Sequence, residues 1–171
     1  KMPVPVACSL AVATQGLAVS CGQCPLDHEG RVLHPGDAAA QAGLVAKLVQ
    51  GVLGHLPQPH QAAVLVVYHD AADPAEVLGP LAAAFPVAAL LPVRLPHFYY
   101  PGMHIEVDLY ALAAAPVVRQ TGRGGAVMQA VAGGPLDLVA LQAPDMAAAA
   151  RLLAGLDPCR LLSAQWFAAG P

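Results

Sequence analysis

Four ionisable side chains occupy every second position of one short segment, and they are the residues best placed to do chemistry. The segment follows Pro101-Gly102, a turn signal. Its apolar residues are Ile105, Val107 and Leu109, and this alternation is typical of a strand with one buried face. The opposite face would carry His104, Glu106, Asp108 and Tyr110. Since only 11% of the chain is charged, we expect this face to meet a second surface and to hold the reactive site.

The same segment contains three residue types that can bind metal ions. His104, Glu106 and Asp108 would lie on one strand face. The first and last of them are four residues apart, which on a strand is about 13 Å. Three side chains so spread cannot all bind one ion, and we predict no metal site and no cofactor.

Cys21-Gly22-Gln23-Cys24 has the spacing of a redox or zinc-binding pair. A redox pair normally opens a helix, whose N-terminus lowers the thiol pKa. Here the pair follows an apolar run and leads into Pro25, and Cys8 and Cys159 form no second zinc-binding pair. We therefore expect two reduced, small, buried residues.

Two loops leave alternatives open. The aromatic segment Phe98-Tyr99-Tyr100 precedes the ionisable strand, where it could line an apolar ligand cleft or pack in a subunit interface. The segment Gly122-Arg123-Gly124-Gly125 could cradle an anion with its backbone N–H groups. It lacks the strand-to-helix context of a phosphate loop, which favours a hairpin turn.

The composition limits the functions that this chain can have. Of 171 residues, 57% are hydrophobic, while the charged share is below half of the usual value of about 25%. A surface so poor in charge predicts an apolar subunit interface. The net charge of −3, without a basic run, argues against nucleic-acid binding. The apolar runs are interrupted, which predicts no membrane span. We expect no signal peptide and a cytoplasmic location with reduced thiols.

The first two thirds of the chain alternate between strand and helix patterns. Asp37 would cap a first helix, with an apolar stripe that includes Leu44, Val45, Leu48 and Val49. Asp73-Pro74 would start a second helix. The predicted strands are a hairpin over 6–22 and single strands at 64–68, 90–95 and 104–112.

From residue 116 the pattern changes. The predicted elements are a hairpin, a strand, a helix and a last strand, at 117–132, 136–142, 144–156 and 159–167. We divide the chain into a domain over 1–115 and an extension over 116–171. The extension would pack on the same sheet, either by extending it or by capping a cleft.

Four segments together resemble the RidA (YjgF/YER057c/UK114) family over roughly residues 6–112, in an order that fits the elements above. They are Val19 to Asp27, Gly36-Asp37 with Gln41, Arg94-Leu95-Pro96, and Ile105 to Asp108. The resemblance implies an α+β, chorismate-mutase-like fold, a mixed sheet with helices packed on one face. It also implies a homotrimer that binds a small-molecule ligand in a cleft at each subunit interface.

The resemblance also implies roles for individual residues. Glu106 matches the glutamate that positions the attacking water in imine-deaminating members, although it could instead hydrogen-bond a neighbouring subunit. Cys21 matches a serine or cysteine that helps to hold the substrate. Around these two catalytic candidates we place four substrate-binding candidates: Gly22, Tyr99, Tyr100 and His104.

One departure from the family pattern limits the substrate. Deaminating members carry an arginine that binds the substrate carboxylate, and residues 85–93 contain none. Val or Ala cannot replace a bidentate arginine. The sequence thus favours an enzyme acting at an imine, enamine or carbonyl carbon, with Glu106 as base, that is not a standard 2-imino-acid deaminase. A non-catalytic ligand-binding or scaffold trimer is the alternative. A ribonuclease activity, attached to some family names, is a third hypothesis that the acidic charge opposes.

Overall fold

The computed structural model describes residues 9–14, 16–123, 126–132 and 137–154, which form two sheets and three helices. The first sheet has the strand order β1-β2-β5-β3-β4. Only β3 and β4 run parallel, so the sheet is mixed. Its strands are β1 (Ala11–Ala13), β2 (Leu17–Ser20), β3 (Gln61–His69), β4 (Ala89–Arg94) and β5 (Ile105–Leu112).

Two helices, α1 (Ala38–His55) and α2 (Pro74–Ala84), pack on one face of this sheet. Both begin where the sequence predicts. Asp37 accepts a hydrogen bond from Ala40 N at 2.9 Å, and Asp73 accepts one from Ala75 N at 2.9 Å. The predicted α+β class, with helices on one face of a mixed sheet, is confirmed.

A buried glutamine joins α1 to the segment that leads into β5. Gln41 is 0% exposed. Its Nε2 donates to His34 O at 2.9 Å and to Gly102 O at 2.7 Å, and its Oε1 accepts from His104 N at 2.8 Å. The Gly-Asp-x-x-x-Gln segment therefore starts a helix and also fixes the entry of the strand that carries Glu106.

The extension forms a sheet of its own and does not add strands to the first sheet. Its elements are β6 (Val117–Arg123), β7 (Ala126–Ala132), β8 (Asp137–Gln142) and α3 (Met146–Leu153), which match the predicted hairpin, strand and helix. The last predicted strand, 159–167, lies outside the described residues.

The two sheets contact each other on the face of the first sheet that is opposite α1 and α2. Val131 and Ala140 of the extension pack with residues of the first sheet, and α3 covers the other side of the extension. The residues of the first sheet in this contact are Ala63, Val64, Ala89 and Leu112. None of the helices in the described ranges is long and apolar enough to cross a membrane.

Candidate functional site

Glu106 lies on the sheet face opposite the helices. Strand pairing sets Glu106 beside Tyr68 and Asp108 beside Val66, while Ile105 and Val107 point into the helix-covered core. The glutamate side chain is half-buried. The alternation that predicts one core face and one polar face for this strand is therefore confirmed, and Glu106 lies on the polar face.

A short bridge holds the Cys21–Cys24 segment against β5. Gln23 N donates to Val107 O at 2.8 Å, and Val107 N donates to Gln23 O at 3.1 Å. This pairing brings Gly22 directly over the side chain of Glu106, so that a Cβ atom at residue 22 would overlap Glu106 Oε1. Glycine at residue 22 lets the carboxylate come this close, because any Cβ atom there would push the Glu106 side chain away.

The Cys24 thiol has two acceptors beside it, Gly22 O at 4.0 Å from its Sγ and the carboxyl group of Glu106. Burial, then the charge of Glu106, raise the pKa of the Cys24 thiol to about 12. The thiol therefore stays protonated near neutral pH and acts as a donor to the carboxylate. It is unsuited to act as a nucleophile, because the reactive form of cysteine is the thiolate.

The pKa of Glu106 is raised above its ordinary value. Burial is the largest cause, the hydrogen bond from Cys24 opposes it, and the charge of Asp108 adds to it. A carboxyl group with a raised pKa exchanges protons more readily near neutral pH than an exposed glutamate does. This is the property that a general acid or base needs.

Asp108 and Tyr68 extend the site along the same face. Tyr68 Oη donates to Asp108 Oδ2 at 3.1 Å. Burial raises the pKa of Asp108, and the hydrogen bond from Tyr68 opposes that shift. Burial, then the charge of Asp108, raise the pKa of Tyr68 and of Tyr110. The face therefore carries two carboxyl groups and two phenols.

The predicted site residues fall into two groups. Glu106 and Gly22 are in contact, and Cys21 lies next to them with its carbonyl accepting a hydrogen bond from Gln23 Nε2 at 2.8 Å. Cys21 is exposed, so the expectation of a buried residue there is wrong. It follows the last residue of β2, where the strand ends and the side chain is outside the core.

The other three predicted residues have contacts elsewhere. His104 Nδ1 lies within hydrogen-bond distance of Asp70 Oδ1, at 2.6 Å, just before the start of β5. Tyr99 is 89% exposed and contacts Tyr100 edge-on, with ring centroids 5.2 Å apart. The contacts of these residues therefore run to Asp70 and to each other.

Sequence reasoning missed Cys24 and Tyr68 as site residues. Tyr68 had a readable signal, because alternation along Val64, Val66 and Tyr68 places its ring on one face with the other two. The sequence of neither strand alone predicts that β3 pairs with β5. The position of Cys24 beside Glu106 depends on the Gln23–Val107 bridge, which no local sequence pattern predicts.

No cation acts on Glu106 or Asp108 among the described residues. After burial, Cys24 and Asp108 shift the pKa of Glu106, and Tyr68 shifts the pKa of Asp108. Arg94 is exposed at the end of β4, and its charge acts on His69, whose pKa is lowered first by burial and then by this arginine. Within the described residues, no three His, Cys, Asp or Glu side chains are grouped so that they could hold a metal ion.

Comparison with known proteins identifies the fold. No family model matches the chain, and no curated protein matches it. Among solved structures, a member of the highly conserved YjgF/YER057c/UK114 family from Mycobacterium tuberculosis is similar with a TM-score of 0.52 and 21% identity. That match covers 63% of this chain and 87% of the other.

Two further structures give the same result. A member of the YjgF protein family from Neisseria meningitidis has a TM-score of 0.51 and 23% identity, over 66% of this chain and 92% of the other. A protein from Entamoeba histolytica, provisionally named an endoribonuclease L-PSP, has a TM-score of 0.53 and 19% identity, over 64% and 90%. The chain therefore has the RidA-like fold of the YjgF/YER057c/UK114 family structures.

Proposed function

We propose that this protein is a small-molecule enzyme that acts at an imine, enamine or carbonyl carbon, with Glu106 as its general acid and base. The observation that carries the proposal is the environment of this carboxyl group. It is half-buried, it lies against Gly22, it accepts a hydrogen bond from Cys24, and burial and Asp108 raise its pKa.

The environment suits hydrolysis of a C=N bond. Glu106 takes a proton from water while the water oxygen attacks the imine carbon, and the nitrogen takes a proton from solvent, which gives a carbinolamine. The protonated Glu106 then gives its proton to this nitrogen as the C–N bond breaks, and the carbinolamine hydroxyl releases its proton to solvent, which leaves a carbonyl compound and an amine. The Cys24 thiol remains protonated at neutral pH, so it stays beside the carboxylate as an uncharged donor.

The charge of the site selects the substrate. Two carboxyl groups lie on this face, and no arginine is found at residues 85–93. A substrate carboxylate there would meet like charge without a compensating cation. We therefore infer that the substrate is neutral or carries an amine, and that imines of ordinary amino acids are poor substrates.

The alternative is a ligand-binding protein without turnover. The specific observation in its favour is that His104, Tyr99 and Tyr100, expected to bind the substrate, have their contacts elsewhere. A site with fewer positioning groups could bind a ligand and still lack the geometry that catalysis needs.

Glu106→Gln separates the two functions. We expect this variant to keep the fold and to lose about 10²–10⁴-fold in the rate of hydrolysis of a neutral imine, measured by the release of the amine. Glu29→Gln is the matched control, because Glu29 is an exposed glutamate that pairs with Arg31 away from the site. Equal rates in both variants would refute the role of Glu106. Ligand binding without turnover in the unaltered protein would favour the alternative.

A further inference from the structure

A cavity of about 280 Å³ lies between the first sheet and the extension. Leu91 of β4, whose side chain is on the extension side of the first sheet, forms its apolar wall on one side; the neighbouring Leu90 also lines the cavity but packs in the helix-covered core. The extension forms the other side with two small apolar residues and three glutamines: Val127, Ala140, Gln120, Gln129 and Gln142. Its volume is close to the lower end of small-molecule sites, roughly 300–1,000 Å³.

Strand register puts the three glutamines on one face. Gln120 is directly opposite Gln129 across β6 and β7, and Gln129 is directly opposite Ala140 across β7 and β8. Gln142 is two residues beyond Ala140 and so shares its face. Ala140 itself packs against the first sheet, so the shared face is the one turned toward that sheet.

The three amides have unused hydrogen-bonding capacity. Gln120, Gln129 and Gln142 have no side-chain hydrogen bond or ion pair within the described ranges. Each amide offers two N–H donors and a carbonyl acceptor. Directly opposed residues have Cβ atoms about 5 Å apart, so the amides of Gln120 and Gln129 can contact one ligand together.

We propose that this cavity is a second binding site, which takes a small, planar, uncharged ligand with neighbouring donors and acceptors, such as an amide, a lactam or a nucleobase. The flat side of the ligand packs on the leucine wall, and its polar edge pairs with the glutamine amides. A charged ligand is disfavoured, because none of the lining residues in the described part of the chain carries a charge.

This site is separate from Glu106 in position and chemistry. The cavity is lined by β4 and the extension, whereas Glu106 lies on β5 beside Cys24 and Tyr68. The cavity exists only because the extension packs as a layer on the first sheet. Ligand binding there would not require turnover at Glu106.

The test is saturation-transfer NMR on the full chain with three probes of similar size: uracil, benzamide and benzoate. We expect uracil and benzamide to bind saturably at about millimolar concentration, and benzoate not to bind. Gln129→Leu and Gln120→Leu, which keep most of the side-chain volume, should each weaken binding by about tenfold. Gln50→Leu is the matched control, since Gln50 is exposed on α1.

Two results would overturn the proposal. One is the absence of saturable binding of uracil and benzamide up to about 10 mM. The other is binding that responds equally to Gln129→Leu, Gln120→Leu and Gln50→Leu. Gln120 is exposed, so its replacement leaves the fold intact even if Gln129→Leu disturbs packing.

Discussion

The close contact between Gly22 and Glu106 makes residue 22 a sensitive probe of the carboxyl group. In Gly22→Ala the new methyl group would occupy the position of Glu106 Oε1, and the end of the flexible glutamate side chain would move away. We expect the displaced carboxyl group to become more exposed and its pKa to fall toward the ordinary value of about 4.3. NMR titration of Glu106 measures this shift.

Gly51→Ala provides the control for this change. A Cβ atom at Gly51 meets nothing within 4 Å, and the residue lies inside α1. Alanine there should stabilise the protein by about 0.5–1 kcal/mol without moving the pKa of Glu106. An unchanged pKa of Glu106 in Gly22→Ala would contradict the described contact.

The hydrogen bond between Tyr68 and Asp108 should make the effect of Tyr68→Phe depend on pH. Since the pKa of Asp108 is raised on folding, folding favours its protonated form, and its contribution to stability falls as pH rises above about 3.9. The Tyr68 donor offsets part of this loss by stabilising the carboxylate. Tyr68→Phe should therefore cost about 1 kcal/mol at pH 7, because a half-exposed carboxylate is partly screened.

Below the ordinary pKa of an aspartate the cost should become smaller, since Asp108 in the folded protein is then largely protonated and leaves the Tyr68 donor little charge to stabilise. Urea unfolding at pH 7 and near pH 3.5 measures the difference. Tyr99→Phe, on an exposed ring, should show no such pH dependence. An equal cost of Tyr68→Phe at both pH values would argue that the hydroxyl does not stabilise the Asp108 carboxylate.

At the scale of elements, Gln41 is the residue on which the placement of β5 depends. Its side chain, which is 0% exposed, satisfies two carbonyl groups and one N–H group in the segments at His34 and at Gly102–His104. Gln41→Ala leaves these backbone groups without partners, so we expect the free energy of unfolding to fall by about 2–4 kcal/mol. Urea unfolding of the variant measures this loss.

Gln50→Ala is the matched change on the same helix. Gln50 is exposed, so its replacement should alter stability by no more than about 0.5 kcal/mol. If both variants had equally small effects, the hydrogen bonds of Gln41 would not be what holds the helix to the strand.

The elements differ in how far the sequence predicts them, and the reasons are physical. The caps Asp37 and Asp73 act within one helical turn, so local sequence is sufficient to find them. The inner face of α1 is harder. The predicted stripe includes Leu44 and Leu48, but the helix is turned so that smaller residues point inward, and both leucines are only partly buried. The buried residues of the helix are Ala38, Gln41, Ala42, Val45, Ala46, Val49 and Val52.

The candidate site shows the same distinction. Alternation predicts the face on which Glu106 lies, because that depends only on β5. Cys24 and Tyr68 come from segments that are far from Glu106 in the chain. Their positions depend on which strands pair and in which register. Local patterns in a single sequence do not predict this long-range pairing.

At the scale of the whole molecule, the association of subunits remains a prediction. The extension covers the part of the first sheet near Val64 and Leu112, while Glu106 and Asp108 lie further along β5. We expect a homotrimer in which a second copy closes over the Glu106 end of this face, since the chain has few charges to keep an apolar surface in water. Light scattering on the full chain measures the mass.

A monomer at micromolar concentration would contradict the trimer, and the site would then be an open surface on a single chain. A trimer whose mass is unaffected by Glu106→Gln would be consistent with a catalytic role for this residue. A trimer that dissociates in this variant would instead indicate that Glu106 serves the subunit contact, as the sequence allows.

The central position of β5 also sets the order of events during synthesis. Its neighbours β2 and β3 leave the ribosome earlier and can pair with β1 and β4, yet one edge of each lacks its hydrogen-bonding partner until Ile105–Leu112 has been made. Until then two strand edges are open to pairing with other nascent chains. The insertion of β5 closes both edges and brings Glu106 to Gly22 and Cys24 in the same step. Protection from aggregation and assembly of the site are thus one late folding event.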